Sequence, residues 1–119
     1  MLVSIIIPYY KDKKNIFYSV KSAINQNYKK IEVIIIDDEN SDTSKKTLLN
    51  IKKKHKKIKV ISTKKNLGAS QARNLGIKHS SGKLIAFLDS DDVWKKDKLI
   101  KQVHFMNKNK IDFCYTNYY

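Results

Sequence analysis

The sequence has little cysteine, proline or arginine, and the scarcity of cysteine excludes whole classes of site. Cys114 is the only cysteine of the 119 residues, so one chain cannot form a disulfide framework or a cysteine-based zinc site. No apolar run approaches the roughly 20 residues that span a bilayer. The N-terminus also lacks the basic segment and cleavage site of a signal peptide. We therefore expect one globular domain in the cytoplasm.

Arginine is scarce although the formal net charge is +14, since every basic residue except Arg73 is a lysine. Proteins that bind nucleic acid usually use arginine for bidentate contacts with bases and phosphates. We therefore expect no nucleic-acid partner. The lysines are spread along the chain, with a dense stretch over 52–59. A solvated lysine face and attraction to anionic lipids or other polyanions both fit this pattern.

Apolar runs typical of buried strands alternate with helical periodicities along the chain. The runs predict strands over 3–7, where Pro8 ends the first, then over 31–36, 58–62 and 83–88, with a possible fifth over 111–116. Helices are expected after the caps Asn15, Ser41 or Asp42, and Ser70, and over 95–108. Ile77 is expected to face inward from the third helix. This alternation predicts an α/β fold, a Rossmann-like parallel sheet flanked by helices, with strand order 3-2-1-4.

Acidic residues are concentrated where the predicted strands end. Seven of the 11 carboxylates belong to two clusters. The first acidic cluster consists of Asp37, Asp38, Glu39 and Asp42, and the second of Asp89, Asp91 and Asp92. In open parallel sheets, ligands bind at the carboxyl ends of the strands, near the point where the strand order reverses. The clusters and the segment 8–10 are therefore expected to line one crevice.

The residue types in this crevice suit a nucleoside diphosphate. Asp89 and Asp91 offer oxygen ligands to Mg²⁺ or Mn²⁺, which proteins usually hold by one or two carboxylates together with substrate phosphates. Asp38 could accept hydrogen bonds from a ribose or a base, and Tyr10 could stack on the base. Arg73, near the start of the third predicted helix, could reach the diphosphate. Asp42 is expected only to cap a helix.

Structural explanations compete with several of these roles. Tyr9 or Tyr10 could cover the edge of the sheet, and Arg73 could pair with Asp38 or Asp91. The sequence has no GxGxxG or Walker A motif. A nucleotidyltransferase on a related scaffold remains an alternative, although Tyr9-Tyr10-Lys11 is a poor phosphate loop. A module that binds polyanions or a membrane surface is another.

Four segments together resemble the family 2 glycosyltransferases, which have the GT-A fold. They are Val-Ser-Ile-Ile-Ile-Pro-Tyr-Tyr at 3–10, Ile-Ile-Ile-Asp-Asp at 34–38, Asn-Leu-Gly at 66–68 with Ala-Arg-Asn-x-Gly at 72–76, and Phe-Leu-Asp-Ser-Asp-Asp at 87–92. The resemblance covers essentially the whole chain. It implies a donor-binding part of an inverting, metal-dependent enzyme that takes a sugar from a nucleoside diphosphate, with UDP favoured. The acceptor would be a saccharide or a lipid-linked saccharide in polysaccharide or lipopolysaccharide synthesis.

The resemblance also implies roles for single residues. Asp38, with Asp37 beside it, would contact uracil, and Tyr10 would lie beside the base. Arg73 would lie near the nucleotide. The DxD pair would place Asp91 on the metal, Mn²⁺ or Mg²⁺, and Asp89 closer to the ribose and sugar. The remaining implied donor-binding residues are Pro8, Tyr9 and Ser90.

Two departures from the family pattern bear on activity. Glu39 stands where a glycine is common after the paired aspartates. In inverting members, a carboxylate in the second half of the protein is the general base, and no carboxylate here matches it. We therefore expect that base, and the acceptor site, beyond Tyr119. A truncated chain that binds nucleotide without transferring sugar is thus an alternative. For the active enzyme, the resemblance implies a place in the cytoplasm, at the inner face of the cell membrane.

Overall fold

The computed structural model describes residues 1–114, which form a parallel four-stranded sheet with helices on both faces. The strands are β1 (Val3–Tyr9), β2 (Ile31–Asp37), β3 (Ile58–Ser62) and β4 (Leu84–Phe87). The helices are α1 (Ile16–Ile24), α2 (Asp42–Lys52), α3 (Ala69–Lys78) and α4 (Lys98–Asn109). The strand order is β3-β2-β1-β4, and each pairing is parallel. The predicted fold class and strand order are confirmed.

The two central strands are apolar without alternation because both of their faces are buried. Ile5 and Ile7 of β1 belong to a core on one face, to which α1, α2 and α4 all contribute. Ile6 of β1 and Ile34 of β2 point to the other face, where Ala72 and Leu75 of α3 cover them. Among the helices of residues 1–114, α3 alone covers this second face, whereas α1, α2 and α4 cover the first. The sheet is packed more thickly on the α1, α2 and α4 side.

Close packing of α3 against β1 depends on Gly76. A Cβ atom added there would lie 2.5 Å from Cγ2 of Ile6, closer than real Cβ atoms approach another heavy atom. The missing side chain thus lets the helix backbone lie directly on the central strand. This contact fixes the start of α3, and the residues that precede it, relative to the end of β1.

Pro8 does not end the first strand, contrary to the prediction, because its position tolerates a missing N–H group. Ile6 accepts a hydrogen bond from the backbone N–H of Leu88, so its polar groups face β4. Two residues later the backbone of Pro8 faces the same side, where β4 has already ended. Strand β1 therefore continues to Tyr9, and its last part, after the end of β4, is paired with β2 alone.

A buried carboxylate stabilises the opposite, amino edge of the sheet. Glu32 of β2 accepts hydrogen bonds from the Ser4 hydroxyl at 2.5 Å, the Ser81 backbone N–H at 2.6 Å and the Lys59 ammonium at 2.9 Å. Burial alone would raise the pKa of Glu32, but the hydrogen bonds from Ser4 and Lys59 outweigh it and lower the pKa. Glu32 is therefore held as a carboxylate that ties β1, β2 and β3 to the segment before β4.

Several predicted details of the helices are wrong. Helix α3 begins at Ala69 with Gly68 as its N-cap, two residues before the predicted cap Ser70, because Gly68 can adopt a φ of +86°. Ile77 is 43% exposed rather than inward, since only α3 lies on that face. Of the two residues predicted to cap α2, Ser41 is the N-cap, since its hydroxyl accepts from the Ser44 N–H, and Asp42 is the first residue of the helix instead of its cap. Helix α4 begins at Lys98 rather than at 95.

The predicted fifth strand over 111–116 is not present in its described part. Residues 111–114 follow α4 without regular structure, and the left-handed conformation of Lys110 ends that helix. Positions 115 and 116 lie outside the described residues. Within residues 1–114, every helix is too short or too polar to cross a membrane.

Candidate functional site

A cleft of about 440 Å³ opens at the carboxyl edge of the sheet, between the ends of β1, β2 and β4 and the start of α3. Four separate parts of the chain line it. They are Pro8, Tyr9, Tyr10 and Asp12 at and after the end of β1, Asp38 after β2, then Asn66, Gly68, Ala69 and Arg73 before and within α3, and Asp89, Ser90 and Asp91 after β4. The cleft lies where the strand order reverses, since β1 has β2 on one side and β4 on the other.

The structure brings together every residue predicted for this site except Asp37. Its side chain is buried and does not line the cleft. The carboxylate accepts hydrogen bonds from the backbone N–H groups of Glu39 and Asn40 at 3.2 and 3.0 Å, and from the Ser44 hydroxyl at 2.9 Å. Asp37 therefore holds the turn that leads into α2. Its predicted contact with the nucleotide stays a prediction.

Asp38 lines the cleft but is itself 2% exposed. Its Oδ1 atom accepts hydrogen bonds from the Thr63 hydroxyl at 3.0 Å and the Leu67 N–H at 2.8 Å. Its Oδ2 atom accepts from the Gly68 N–H at 2.9 Å. The carboxylate thus fastens the loop between β3 and α3 to the end of β2. This loop forms one wall of the cleft.

The second acidic cluster follows β4 and is open to solvent. Asp89, Asp91 and Asp92 are exposed, and each can place one carboxylate oxygen within 4.8 Å of the others. Partial desolvation raises the pKa of Asp92, and the negative charges of Asp89 and Asp91 raise it further. A group of oxygen ligands at this spacing fits a hard divalent cation such as Mg²⁺ or Mn²⁺. The residues present therefore suit the predicted metal.

Arg73 forms an ion pair across the cleft. Its Nη2 atom lies 3.0 Å from Oδ1 of Asp89, and both side chains are partly exposed, at 36% and 54%. The prediction that Arg73 pairs with Asp38 or Asp91 is wrong, because its guanidinium contacts Asp89, at the start of the loop after β4. The guanidinium lies among the lining residues, near the N-terminus of α3. Both features favour an anionic ligand at this end of the cleft.

The two tyrosines after β1 have different surroundings. Tyr9 is 1% exposed and packs in the core, and its backbone carbonyl accepts from the Asp38 N–H at 2.9 Å. Burial raises the pKa of Tyr9, and the nearby charges of Glu39, Asp37 and Asp12 raise it further. Tyr10 is 49% exposed, with the Lys11 ammonium 5.3 Å from its ring centroid. Tyr10 is therefore the tyrosine with a ring free to stack on a ligand.

A polar row, formed by Ser19 and Ser22 of α1 and by Gln26 just after it, positions the loop after β4, and sequence reasoning missed it. The Ser19 hydroxyl donates to the carbonyl oxygens of Ser90 and Asp92 at 2.7 and 2.5 Å. Ser22 accepts from the Trp94 N–H at 3.1 Å. Gln26, fully buried, donates to the Lys95 carbonyl and accepts from the Leu99 N–H. The signal was three polar residues at helical spacing beside the apolar positions of α1.

Asp12 is a second residue that sequence reasoning missed. It lines the cleft, and its two carboxylate oxygens accept from the Asn15 side chain at 2.9 Å and the Ser90 hydroxyl at 2.8 Å. The bond to Ser90 joins the end of β1 to the end of β4. Asn15 therefore orients Asp12 instead of capping α1 with its side chain, the role that the sequence had suggested. The spacing Asp12-x-x-Asn15 was the available signal.

The cleft combines the carboxylates of the second acidic cluster with the guanidinium of Arg73 and the exposed ring of Tyr10. A diphosphate would be repelled by three aspartates unless a divalent cation lay between them, since like charges at this spacing repel strongly. With such a cation, the site could hold a diphosphate between the second acidic cluster and Arg73. The ring of Tyr10 and the wall fastened by Asp38 leave room for a nucleoside at the other end. The geometry therefore suits a nucleoside diphosphate carried by a metal.

Comparison with known families agrees with this geometry. The family model described as glycosyl transferase family 2 matches residues 4–119. The chain is 46% identical over 120 residues to the UDP-Glc:α-D-GlcNAc-diphosphoundecaprenol β-1,3-glucosyltransferase WfaP of Escherichia coli. That match covers 99% of this chain and 46% of the relative, so the chain spans about half the length of this curated relative.

Solved structures share the fold. Residues 1–349 of TarS from S. aureus, in complex with UDP-GlcNAc, match with a TM-score of 0.80 and 28% identity, over 92% of this chain and 32% of that one. A mannosyltransferase from Pyrobaculum calidifontis, in complex with GDP-Man and Mn²⁺, matches with a TM-score of 0.80 and 22% identity, over 87% and 32%. The sheet and its helices therefore match GT-A glycosyltransferase structures.

Proposed function

The chain belongs to glycosyl transferase family 2, and on that basis we propose that it forms the donor-binding part of an enzyme that transfers a sugar from a UDP-sugar to a lipid-linked saccharide. The observation that carries the proposal is one cleft that combines Asp38, Arg73 and the second acidic cluster. The E. coli relative is named for a UDP-Glc donor and a diphosphoundecaprenol acceptor, and the S. aureus structure contains UDP-GlcNAc. Family membership favours sugar transfer over a module that only binds polyanions.

The nucleoside would lie at the β1 and β2 side of the cleft. Tyr10 offers a half-exposed ring for stacking on the base, while Pro8 and the carbonyl of buried Tyr9 supply a rigid backbone beneath it. Both carboxylate oxygens of Asp38 already accept hydrogen bonds from the protein. Each carboxylate oxygen has two lone pairs, so Asp38 could accept one further bond from a uracil N–H or a ribose hydroxyl.

The diphosphate would lie between Arg73 and the second acidic cluster. Asp91, with Asp89, would hold Mn²⁺ or Mg²⁺, and the bound cation would neutralise charge on the departing diphosphate as Lewis-acid catalysis. Arg73 would exchange part of its ion pair with Asp89 for a bidentate contact with phosphate oxygens. The Ser19 and Asp12 hydrogen bonds keep the loop of Asp89–Asp92 in place, so little ordering would be needed on binding.

The transfer step would invert the configuration at the anomeric carbon. An acceptor hydroxyl would attack that carbon while a general base takes its proton and the nucleoside diphosphate leaves. None of the carboxylates of this cleft is proposed as that base, because they surround the leaving group rather than the acceptor side. We propose that the base and the acceptor contacts come from outside residues 1–119, since the chain spans about half the length of the curated relative.

Calorimetric titration of UDP into the purified chain, with and without Mn²⁺, tests the donor site. We expect binding that requires the cation and weakens at least tenfold in Asp91→Asn, since the variant keeps the side-chain shape but loses the charge that holds the metal. Asp42→Asn is the matched control. It removes one carboxylate from an exposed position at the start of α2, outside the cleft, and should leave UDP affinity within about twofold.

Each outcome decides one part of the proposal. Equal weakening in both variants would mean that net charge, not the cleft, governs affinity. Binding of GDP or ADP as tight as UDP would contradict the proposed uridine donor. The acceptor class is tested with a protein that contains this chain and has the length of the relatives. Release of UDP from UDP-glucose only when a lipid-linked saccharide is present would establish that class.

A further inference from the structure

A second groove of about 440 Å³ lies between α1 and α2, outside the donor cleft. Its lining contains the ammonium groups of Lys13, Lys46 and Lys54, together with the ring of Phe17. Apart from these, the lining residues are neutral, namely Ile16, Thr43, Thr47, Asn50 and Ile51. We refer to it as the lysine groove. It has no role in the proposed donor chemistry.

Carboxylates are missing from the segments that form this face. No aspartate or glutamate occurs between Asp12 and Glu32, or between Asp42 and Asp89. Among residues 1–114, the ion pairs are made by Lys59, Arg73 and Lys101, so none neutralises a lysine of the groove. The face therefore carries uncompensated positive charge, in contrast to the acidic cleft beside it.

Exposed aromatic rings accompany these lysines. Phe17 is 37% exposed and Tyr18 is 61% exposed, and their rings meet edge to face with centroids 5.6 Å apart. The Lys54 ammonium lies 4.4 Å from the centroid of the Phe17 ring. Aromatic rings among lysines on an exposed helical face are the combination that binds the interface of an anionic membrane.

We propose that the lysine groove, with Phe17 and Tyr18, docks the protein on the surface of a membrane that contains anionic phospholipids. The lysines would attract the headgroup phosphates, and the two rings would enter the headgroup region. Two lysine grooves do not fit each other, because lysine would oppose lysine. Nucleic acid fits less well because the face contains lysine and no arginine.

The position of the groove gives this docking a purpose. Asp12 lines the donor cleft, and its neighbour Lys13 lines the lysine groove. One turn after β1 therefore separates the two openings. A membrane bound at the groove would lie beside the cleft, where the headgroup of a lipid-linked acceptor is presented. This purpose rests on the proposed function, whereas the docking itself does not.

Vesicle co-sedimentation tests the docking. The probes are vesicles of phosphatidylcholine alone and of phosphatidylcholine with about 30% phosphatidylglycerol, at roughly 0.1 M salt. The test variant carries Lys46→Glu and Lys54→Glu, and the matched control carries Lys78→Glu and Lys83→Glu, outside the groove. Both variants lose the same net charge. We expect wild-type binding to anionic vesicles only, a loss of at least about tenfold in the groove variant, and a loss of about twofold in the control.

A third variant separates ring insertion from charge. Phe17→Ala keeps every lysine, and because Phe17 is partly exposed its melting temperature should stay close to that of the wild type. We expect roughly fivefold weaker binding than in the wild type, and the remaining binding should be more sensitive to salt, because it depends on the lysines alone. Co-sedimentation measures the wild type and all three variants in the same way.

Several results would overturn the proposal. One is the absence of wild-type binding to anionic vesicles, and another is an equal loss of binding in the groove and control variants. A third is binding of a DNA duplex that is tighter than vesicle binding and that requires the same lysines. UDP titration of the wild type, beside its vesicle binding, distinguishes this failure from that of the donor site. Vesicle binding without UDP binding would contradict the proposed function alone, and UDP binding without vesicle binding would contradict the docking alone.

Discussion

The two acidic clusters look alike in the sequence, since each follows a buried strand, yet the structure uses them differently. In the first acidic cluster, Asp37 and Asp38 are buried and accept hydrogen bonds from neighbouring loops. In the second, Asp89, Asp91 and Asp92 are exposed and close to one another. The first cluster therefore builds the cleft, while the second offers ligands within it.

The difference follows from the neighbours of each strand. Strand β2 is flanked by β1 and β3, so residues at its end lie between two loops whose N–H groups need acceptors. Strand β4 is at the edge of the sheet, so it has a neighbouring strand on one side only. Ser19 and Asp12 hold the loop after it through the Ser90 and Asp92 carbonyls and the Ser90 hydroxyl, while the aspartates of that loop stay exposed. A carboxylate at a central strand end is thus drawn into structure, whereas one at an edge strand stays available to a ligand.

Replacing Asp38 should produce the largest loss of stability. Asp38→Ala leaves the Leu67 and Gly68 N–H groups and the buried Thr63 hydroxyl without their acceptor, and each buried unsatisfied group costs about 1–3 kcal/mol. We expect a loss of about 3 kcal/mol, measured by urea denaturation. Asp91→Ala is the control from the other cluster and should change stability by less than about 0.5 kcal/mol. Similar losses in the two variants would contradict the comparison.

Replacing Asp37 should cost somewhat less, because part of its role is shared with the capping box of α2. We expect Asp37→Ala to lose about 2 kcal/mol, since Ser44 and Asn40 lose their acceptor. A double-mutant cycle with Ser44→Ala measures the coupling. Strict additivity of the two losses would show that the hydrogen bond contributes nothing.

Glu32 extends the comparison to the amino edge, where a buried carboxylate has only a structural role. Its pKa is lowered in the folded protein, so its stabilising effect is present above the unfolded value of 4.5 and is lost as pH falls through the folded pKa. We expect Glu32→Gln to lose about 1.5 kcal/mol at neutral pH, with a smaller difference from wild type below pH 4.5. Thermal melts from pH 3 to 7 measure this, and a pH-independent difference would contradict it.

The smallest stability effect is expected at Arg73, whose ion pair with Asp89 is partly exposed. Arg73→Ala should change the free energy of unfolding by less than about 0.5 kcal/mol. Its UDP affinity should nevertheless fall roughly tenfold, because a charged contact with the diphosphate is lost. Lys101→Ala, which breaks the exposed pair with Asp97, is the matched control and should leave UDP affinity unchanged. Unchanged UDP affinity in Arg73→Ala would remove Arg73 from the proposed site.

Much of the fold was predictable because the apolar runs of β1 and β2 have no alternation. That pattern marks strands buried on both faces, and with helices between them it leaves few topologies. The convergence of Asp38, Arg73 and Asp89 then followed from the strand order. By contrast, the extension of β1 through Pro8 was missed, since it depends on where β4 ends rather than on the local sequence.

The contacts that orient the site were not predictable from strand ends alone. Ser19 lies on α1 and Gln26 just after it, more than sixty residues from the loop that they hold. The inward use of Asp37 and the outward use of Asp91 depend on which loops lie nearby, and the sequence has the same residue type at both. Residue identity predicted which side chains could serve as ligands, but the distinction between buried carboxylates that hold loops and exposed ones required the packing.

The strand order has a consequence for synthesis of the chain. Strand β1 is made first, its neighbour β2 soon follows, but its other neighbour, β4, is about eighty residues away. At the usual 5–20 residues per second, the isoleucine-rich edge of β1 waits roughly 4–16 seconds for its partner. During that interval the nascent chain has an open, apolar strand edge. The donor cleft, which needs both neighbours of β1, therefore forms only after the whole sheet has been translated.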